Sequence, residues 1–503
     1  MRAAGAALGA ALFVLAGGAR AAPPLSRLVA LHIAGVQPLG TIAGVPYART
    51  WGTAEGVVAP DEKVAGLAAL PKDADGDYRY RTQFEIIAPA AAAKPNDVVF
   101  VEAENRGSPI TIDNMNGLSA AGPPASAKYE PGLGNGFLQR HGTSYARIQW
   151  QTGLAEGVPP TAQGVGEVAV RDLARMLTAR TPPPTIDGGP APATYRQAIL
   201  GGISQSAWFV DTFVAEGFNV DPANGRRVFD AAFAIDGTGN WLALNQLAAQ
   251  AGAPQHPYVV PDGRPLPART LLRRPRTDPL FVDVANYTDF YRVRASLTDR
   301  PPRMINYRRY DWPGPHAPVR GAAAVAAVFE KAGCNGGHPI PLNPVGYQPY
   351  LHAVLIELER AVGVPAARGA PALPADTVFH LGPPPDSTAN FNPLPGAALQ
   401  VPLIDRNAWP TGGVRFPDTV FPVGKPVPVS LPPVTTASID GVCGNRGGFE
   451  PFTAAELAAR YGDLARYTRL YDSQIKKLIA AGFVLPEDEQ PMLATAAELY
   501  RER

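Results

Sequence analysis

The sequence predicts an α/β protein: a mostly parallel sheet with helices on both faces, an N-terminal β-rich extension, a cover insertion and a C-terminal helical extension. Three observations carry that expectation. Short apolar runs of strand length alternate with segments of helical periodicity through the middle of the chain. The run Ala198-Ile199-Leu200 ends in Gly201-Gly202-Ile203-Ser204-Gln205-Ser206 and passes straight into a helix-forming stretch, the order of a strand, a sharp turn and a helix. A chain of 503 residues with 46% hydrophobic content can also bury a large core.

The elements follow in order. Arg2, an alanine-rich apolar stretch over 3–16 and Ala19-Arg20-Ala21 read as an export signal, residues 1–21. The stretch is shorter than the ~20 apolar residues of a membrane span, so no stable membrane insertion is expected and the product is secreted or periplasmic. The mature chain, 22–503, is expected to be a single unit. Its β-rich part, 22–90, carries strands at 28–33, towards 47, and at 78–87. The core, 91–365, starts with strands at 97–104 and 143–150, a helix at 164–177, the strand into Ser204 and a strand at 228–235. A Pro/Arg-rich cover follows at 241–277, then strands at 278–285 and 303–310 and an amphipathic helix at 350–362. The extension, 366–503, is proline-rich to 433 and carries two helices between 454 and 481.

Composition excludes several classes of function. A net charge of +1 offers no electrostatic case for nucleic acid or an anionic membrane surface. With 51 glycines and 55 prolines the chain falls short of low complexity, and the excess predicts long structured loops. Cys334 and Cys443 form an even pair that invites a disulfide in an oxidising compartment, with two buried thiols as the alternative. Neither has the close spacing of a metal site.

Ser204 is the candidate nucleophile. The residue two before it must be nearly free of side chain, because strand and helix pass close there, and Gly202 meets this need. The residue two after must be small, and Ser206 stands where glycine is usual. Such a serine is held strained with its hydroxyl exposed, and the N–H of Gln205 is aimed at an oxyanion. A second oxyanion N–H is expected from Arg106 or Gly107, in the loop after the strand at 97–104. Arg106 could instead be a buried arginine paired to a carboxylate that holds the loop.

A nucleophilic serine needs a base, and the base an orienting acid. Beyond Ser204 lie His256, His316, His338, His352 and His380. His316 falls on a loop straight after the strand at 303–310, where the last catalytic loop belongs. His352 lies inside a helix, His256 in the cover, and His338 is the serious rival. For the acid, Asp289 follows the strand at 278–285, although it could also cap a short helix. Asp283 lies within that strand. Asp236, after the preceding strand, is the runner-up.

Several segments bear a resemblance to the alpha/beta hydrolase domain family of long secreted bacterial and fungal proteins, whose members show a GxSQS-type elbow and an NRG loop. VEAENRGSP resembles the NRG element and RIQWQTG its tryptophan-glutamine loop. GGISQSAWFVDTFVAEGFN with GRRVFDAAFA resembles the elbow, its helix and the next strand. CNGGHPIPLNP and GGFEPFTAAELAARYGDLARYTRLY resemble the closing elements, so the similarity runs almost end to end. NYTDFYRVRASL resembles a segment that usually carries glutamate in place of Asp289, and Pro313-Gly314-Pro315 replaces the usual glycine-threonine-glutamine before the histidine. The resemblance implies an α/β-hydrolase fold and a hydrolase.

The expected function is cleavage of carboxylic esters, small-molecule or polymeric, through Ser204, His316 and Asp289, with no cofactor and no metal. Acyl transfer or amide hydrolysis by the same triad, and a non-catalytic scaffold binding a ligand or glycan, remain as alternatives.

Overall fold

The computed structural model describes residues 25–62, 64–90, 97–117, 134–155, 157–252, 264–298, 304–316, 341–363, 373–384, 396–427 and 447–502. The export segment, His256, His338, Cys334 and Cys443 lie outside these residues. Ten strands form one sheet: β1 (Arg27–Ile42), β2 (Val45–Val58), β3 (Tyr78–Pro89), β4 (Val98–Glu102), β5 (Ser144–Ile148), β6 (Thr185–Asp187), β7 (Gln197–Ile203), β8 (Ala231–Ile235), β9 (Leu280–Asn286) and β10 (Tyr307–Trp312), in the spatial order β10-β9-β8-β7-β4-β5-β3-β2-β1-β6. From β10 to β5 every neighbouring pair is parallel. β5–β3, β3–β2 and β2–β1 are antiparallel, and β6 adds a short parallel edge.

Alternation along the strands deals side chains to two cores. Val99, Val101, Ala198 and Leu200 join one cluster, whereas Val98, Phe100, Ile199 and Ile203 join the other. The first four helices in chain order are α1 (Ile110–Asn116), α2 (Phe137–Arg140), α3 (Val165–Leu177) and α4 (Gln205–Glu216). α3 and α4, with the later helices Asn245–Ala251 and Ala268–Leu271, cover the first face and supply the first cluster. α1, α2 and the helix Gln348–Gly363 cover the second face. Strands buried on both sides read as continuous apolar runs, which is why β4 and β7 were legible as strands without a polar face.

The C-terminal extension extends this second core. Helices Ala454–Tyr461, Leu464–Ala480 and Glu489–Arg501 contribute Leu457, Tyr471, Ile475 and Leu499 to it. The first is opened by a Thr453–Glu456 capping box and the second by Asp463. The third is not among the helices expected from sequence. His352 ties it down: Nδ1 lies 2.9 Å from Asp488 Oδ1 and Nε2 2.7 Å from Met115 O, with the Phe137 ring stacked on the imidazole. Among the described residues no helix is long and apolar enough to cross a membrane.

Two other differences from expectation concern length and register. β1 and β2 form a hairpin of 16- and 14-residue strands, far longer than the short strands expected, because bulges near Leu28, Ile33 and Pro38 let β1 bend with its partner. β10 begins four residues later than 303, at Tyr307, because a turn at 305–306 precedes it; within the strand Arg309 pairs with Asp283 and Asp311 at 2.6 and 2.8 Å.

A buried ion network ties β3, β4 and β5 together. Arg147 donates to Glu85 at 2.7 Å and to Glu104 at 2.5 Å, and Arg49 reaches Glu85 at 2.9 Å. Removing the Arg147 cation leaves buried Glu104 without a counter-charge and Glu85 with Arg49 alone, and breaking such a buried pair costs about 3–5 kcal/mol. Arg147→Met is therefore expected to lower the urea midpoint sharply, and a midpoint within error of wild type would show that the network contributes nothing net.

Candidate active site

β4, β7, β8, β9 and β10 are parallel, so their C-terminal ends open on the same edge. β4 has β5 on one side and β7 on the other. The chain therefore leaves β4 in opposite directions, and ligands bind at such a switch point. The loops after these strands carry Asn105 and Arg106, Ser204, Asp236, Asp289 and His316.

Ser204 joins β7 to α4 with φ 63° and ψ −126°, a conformation that costs a non-glycine residue about 1–3 kcal/mol and persists only where its surroundings impose it. Those surroundings are visible. A Cβ on Gly202 would lie 2.5 Å from the Ser206 carbonyl oxygen, so only glycine lets strand and helix cross there. Ser206 Oγ donates to Ile203 O at 2.8 Å and accepts from Ile203 N at 2.9 Å, closing the turn where glycine would leave it open. Ser204 N donates to Ile235 O at 2.9 Å. Within 201–210 only Ser204 keeps solvent exposure. Gln205 opens α4, so its main-chain N–H stands at the positive end of the helix.

The loop after β4 is a tight turn. Asn105 and Ser108 exchange backbone hydrogen bonds at 2.8 and 2.9 Å, and the two residues between them, Arg106 and Gly107, have φ 49° and 78°. Two positive φ values in succession are those of a type I′ turn, which the glycine eases. Asn105 Nδ2 donates to Ile203 O at 3.0 Å, fastening this turn to the residue before Ser204. Its base is held by Trp150 Nε1, which donates to Glu104 O at 2.8 Å. Glu102 accepts from the N–H groups of Thr111 and Ile112 and from the Tyr145 hydroxyl, and burial pushes its carboxyl up to about 8. Arg106 is exposed and hydrogen-bonds only to Asn105 among the described residues. The buried carboxylate-paired arginine considered from sequence is not what the fold contains.

Both candidate acids reach the same histidine. His316 is 2% exposed; its Nδ1 lies 2.9 Å from Asp289 Oδ1 and 3.3 Å from Asp236 Oδ2. Its backbone N donates to Thr288 Oγ1 at 2.8 Å, and Gly314 O accepts from Tyr287 N at 3.0 Å, so the loop of the base is stitched to the loop of the acid. Asp289 lies in the first turn of the helix Asp289–Arg292, but its Oδ2 accepts from Asn286 N at 2.7 Å and caps no helical N–H. The two carboxyl groups converge on the same imidazole nitrogen. Burial, then the Asp289 charge, push Asp236 well above the usual carboxylate range. Burial also raises Asp289, but the His316 charge and hydrogen bond, with those of Asp236 and the Asn286 N–H, outweigh it and leave Asp289 below its ordinary value. One ligand atom from each of Asp236, Asp289 and His316 lies within 4.8 Å of the others, the spacing of a metal-binding group.

β8 links the two halves of the site. Ile235 accepts from Ser204 N, and the next residue, Asp236, faces His316. Asp283 belongs elsewhere, bonded to Arg309, Tyr307 and Thr238 N inside the sheet. His352 is the docking residue of the C-terminal helices, and His380 sits on an exposed bridge far along the chain. Sequence reasoning missed Asn286, whose Nδ2 donates to Asp236 Oδ1 at 2.5 Å, Thr288, and Arg292, whose Nη1 lies 3.5 Å from His316 Nδ1. Their clustering within NYTDFYR beside Asp289 was the available signal.

No curated protein matches the sequence. Among solved structures the chain is similar to a glucuronoyl esterase from Teredinibacter turnerae, with 14% identity over 54% of this chain and 63% of that one and a TM-score of 0.28. It is also similar to a glucuronoyl esterase from Solibacter usitatus, with 14% identity over 54% and 70% and a TM-score of 0.28. A putative acetyl xylan esterase from Bacteroides fragilis matches with 9% identity over 53% and 63% and a TM-score of 0.24. Likenesses this faint decide nothing about chemistry, and the chain spans less than two thirds of the first of these enzymes. A family profile is a different matter: the one described as Alpha/beta hydrolase domain matches residues 48–494, and with the parallel sheet and strand–serine–helix turn above, the protein belongs to the alpha/beta hydrolase domain family.

Proposed function

We propose that the protein is a serine hydrolase of carboxylic esters. The observation that carries this reading is the strained, solvent-reachable Ser204 on the same sheet edge as a buried His316 whose Nδ1 is bonded to Asp289. Ser204 Oγ attacks the acyl carbon while His316 takes its proton on Nε2. The carbonyl oxygen becomes an oxyanion received by the N–H of Gln205 and that of Arg106 or Gly107. Collapse breaks the C–O bond, and the His316 proton leaves with the alkoxide as alcohol. Water, deprotonated by His316, then releases the acid and restores Ser204. Asp289 fixes the imidazole tautomer and stabilises the imidazolium. Asp236, protonated, steadies Asp289 and is a positioning residue.

The reading extends to export of the chain and to 241–277 as a cover insertion on the core, 91–365. The Cys334–Cys443 disulfide belongs to the same proposal, and trypsin digestion under non-reducing conditions would reveal it as a linked peptide pair.

Three outcomes test the reading. Purified wild type should be labelled by a fluorophosphonate probe and Ser204→Ala should not; folded wild type that resists the probe would remove the nucleophile. The paired carboxyls predict non-additive kinetics. Asp289→Asn should retain more kcat/KM than the double variant with Asp236→Asn, because Asp236 ionises and faces Nδ1 once its neighbour is neutral. The double variant should lose about 10³–10⁴-fold, the scale of a lost orienting acid. Additive losses would assign Asp236 no share. The third outcome concerns pH. Asp236 binds its proton more tightly folded than unfolded, so its contribution to stability is full below the unfolded pKa and is lost as pH rises through the folded one. Wild type should therefore lose thermal stability relative to Asp236→Asn as pH rises from the acid side to neutrality, and a constant difference would mean that Asp236 is ionised in the fold.

A further inference from the structure

Arg106 is a cation in the loop beside the nucleophile, and its surroundings do not explain it. Its φ of 49° is a left-handed conformation that long side chains rarely adopt. Nη1 donates to Asn105 Oδ1 at 3.1 Å, a neutral oxygen, and no carboxylate pairs with Arg106 among the described residues. A guanidinium offers five N–H donors in a planar fork, so one amide oxygen leaves most of it unused. The charge acting on it is that of another cation, Arg292, which is 5% exposed and approaches His316. Loss of hydration, then that repulsion, hold the Arg106 guanidinium below its ordinary value. A strained, like-charged arginine is unfavourable in the free protein, and loop residues kept at such a cost mark function.

The same corner holds amide groups without partners. A Cβ on Gly107 would lie 3.6 Å from Gln149 Nε2, so the Gln149 side chain flanks the turn, and its Oε1 is buried without a hydrogen-bond partner. Gln205, next to Ser204, is fully buried, yet neither its Oε1 nor its Nε2 has a partner among the described residues. Buried polar atoms in this state cost about 1–3 kcal/mol each until something polar meets them. The surroundings of the serine therefore suit a polar substrate, and the uncompensated charge among them is positive.

We propose that the Arg106 guanidinium, flanked by Gln149, receives a carboxylate carried by the substrate, so that the preferred esters are acidic ones. The inference rests on the esterase reading for the place of the scissile bond, but the anion subsite does not depend on turnover. The fork of Arg106 matches a carboxylate in two parallel N–H···O bonds. An Arg106 that served the oxyanion alone would not distinguish an acidic ester from a neutral one.

The test is binding to Ser204→Ala, which cannot be acylated, by titration calorimetry with monomethyl glutarate and with its neutral counterpart dimethyl glutarate. The acid ester is expected to bind roughly 10- to 100-fold more tightly, the span of one charge-assisted pair. That preference should weaken as salt is raised, vanish in Ser204→Ala/Arg106→Met and survive in part in Ser204→Ala/Arg106→Lys, with circular dichroism verifying that each variant is folded. Equal binding of the two esters, binding of neither, or a preference that persists in the Arg106→Met variant would each overturn the proposal. Failure of wild type to take up a fluorophosphonate would remove the catalytic reading and leave this binding result standing.

Discussion

The close approach of β7 and α4 at Gly202 is the constraint from which the rest of the candidate site hangs. With no room for a Cβ against the Ser206 carbonyl, the chain turns within one residue and Ser204 has to take up its positive φ. The turn is then closed from three sides: by Ser206 on Ile203, by Asn105 on the same Ile203 carbonyl, and by Ile235 on the Ser204 amide. The bonds come from the first turn of α4, from the loop after β4 and from the end of β8. A strained residue is thus fixed by the sheet itself, in keeping with the rule that local strain persists only where the fold over-determines it.

Electrostatics completes the site by burial. In water two carboxylates beside one imidazole would all be hydrated and weakly coupled. At 0% exposure for both carboxyls and 2% for the histidine, like charges oppose each other strongly, and the two carboxyls shift in opposite directions, Asp236 up and Asp289 down. The same low dielectric strengthens the hydrogen bond between Asp289 and His316, and it makes Asn286 and Thr288 consequential, since they fix which oxygen faces which atom. Both positions considered from sequence for an acid, Asp289 after β9 and Asp236 after β8, lie beside His316.

Away from the serine, buried ion pairs serve as braces. Arg147 with Glu85 and Glu104 anchors the base of the Asn105–Ser108 turn, and Arg309 with Asp283 and Asp311 holds β10 in the register that brings His316 to the edge. Such pairs gain little net energy against their desolvation, and their effect is greatest on which arrangement is allowed, because breaking one strands its partner. The C-terminal helices reach the same core through His352 and Asp488, so an element distant in sequence supports the face of the sheet beneath α1.

By itself the sequence determined the local matters. Apolar runs bounded by turn residues marked the strands, and periodicity marked α3 and the first two C-terminal helices. The Gly202–Ser204–Ser206 spacing marked the elbow, because strand, turn and helix propensities act over a few neighbouring residues. It also narrowed the acid to Asp289 or Asp236 and the base to His316 with a rival. Only the tertiary structure decided that both acids meet His316, that Asn105 is bonded to Ile203, that Arg106 faces a cation instead of a carboxylate, and that β1 and β2 extend as one long hairpin. Those contacts join residues as far apart in sequence as Arg106 and Arg292. Their existence depends on strand order and register, which no single segment encodes, and the opposite shifts of the two carboxyls depend on a burial that exists only once the sheet has closed over them.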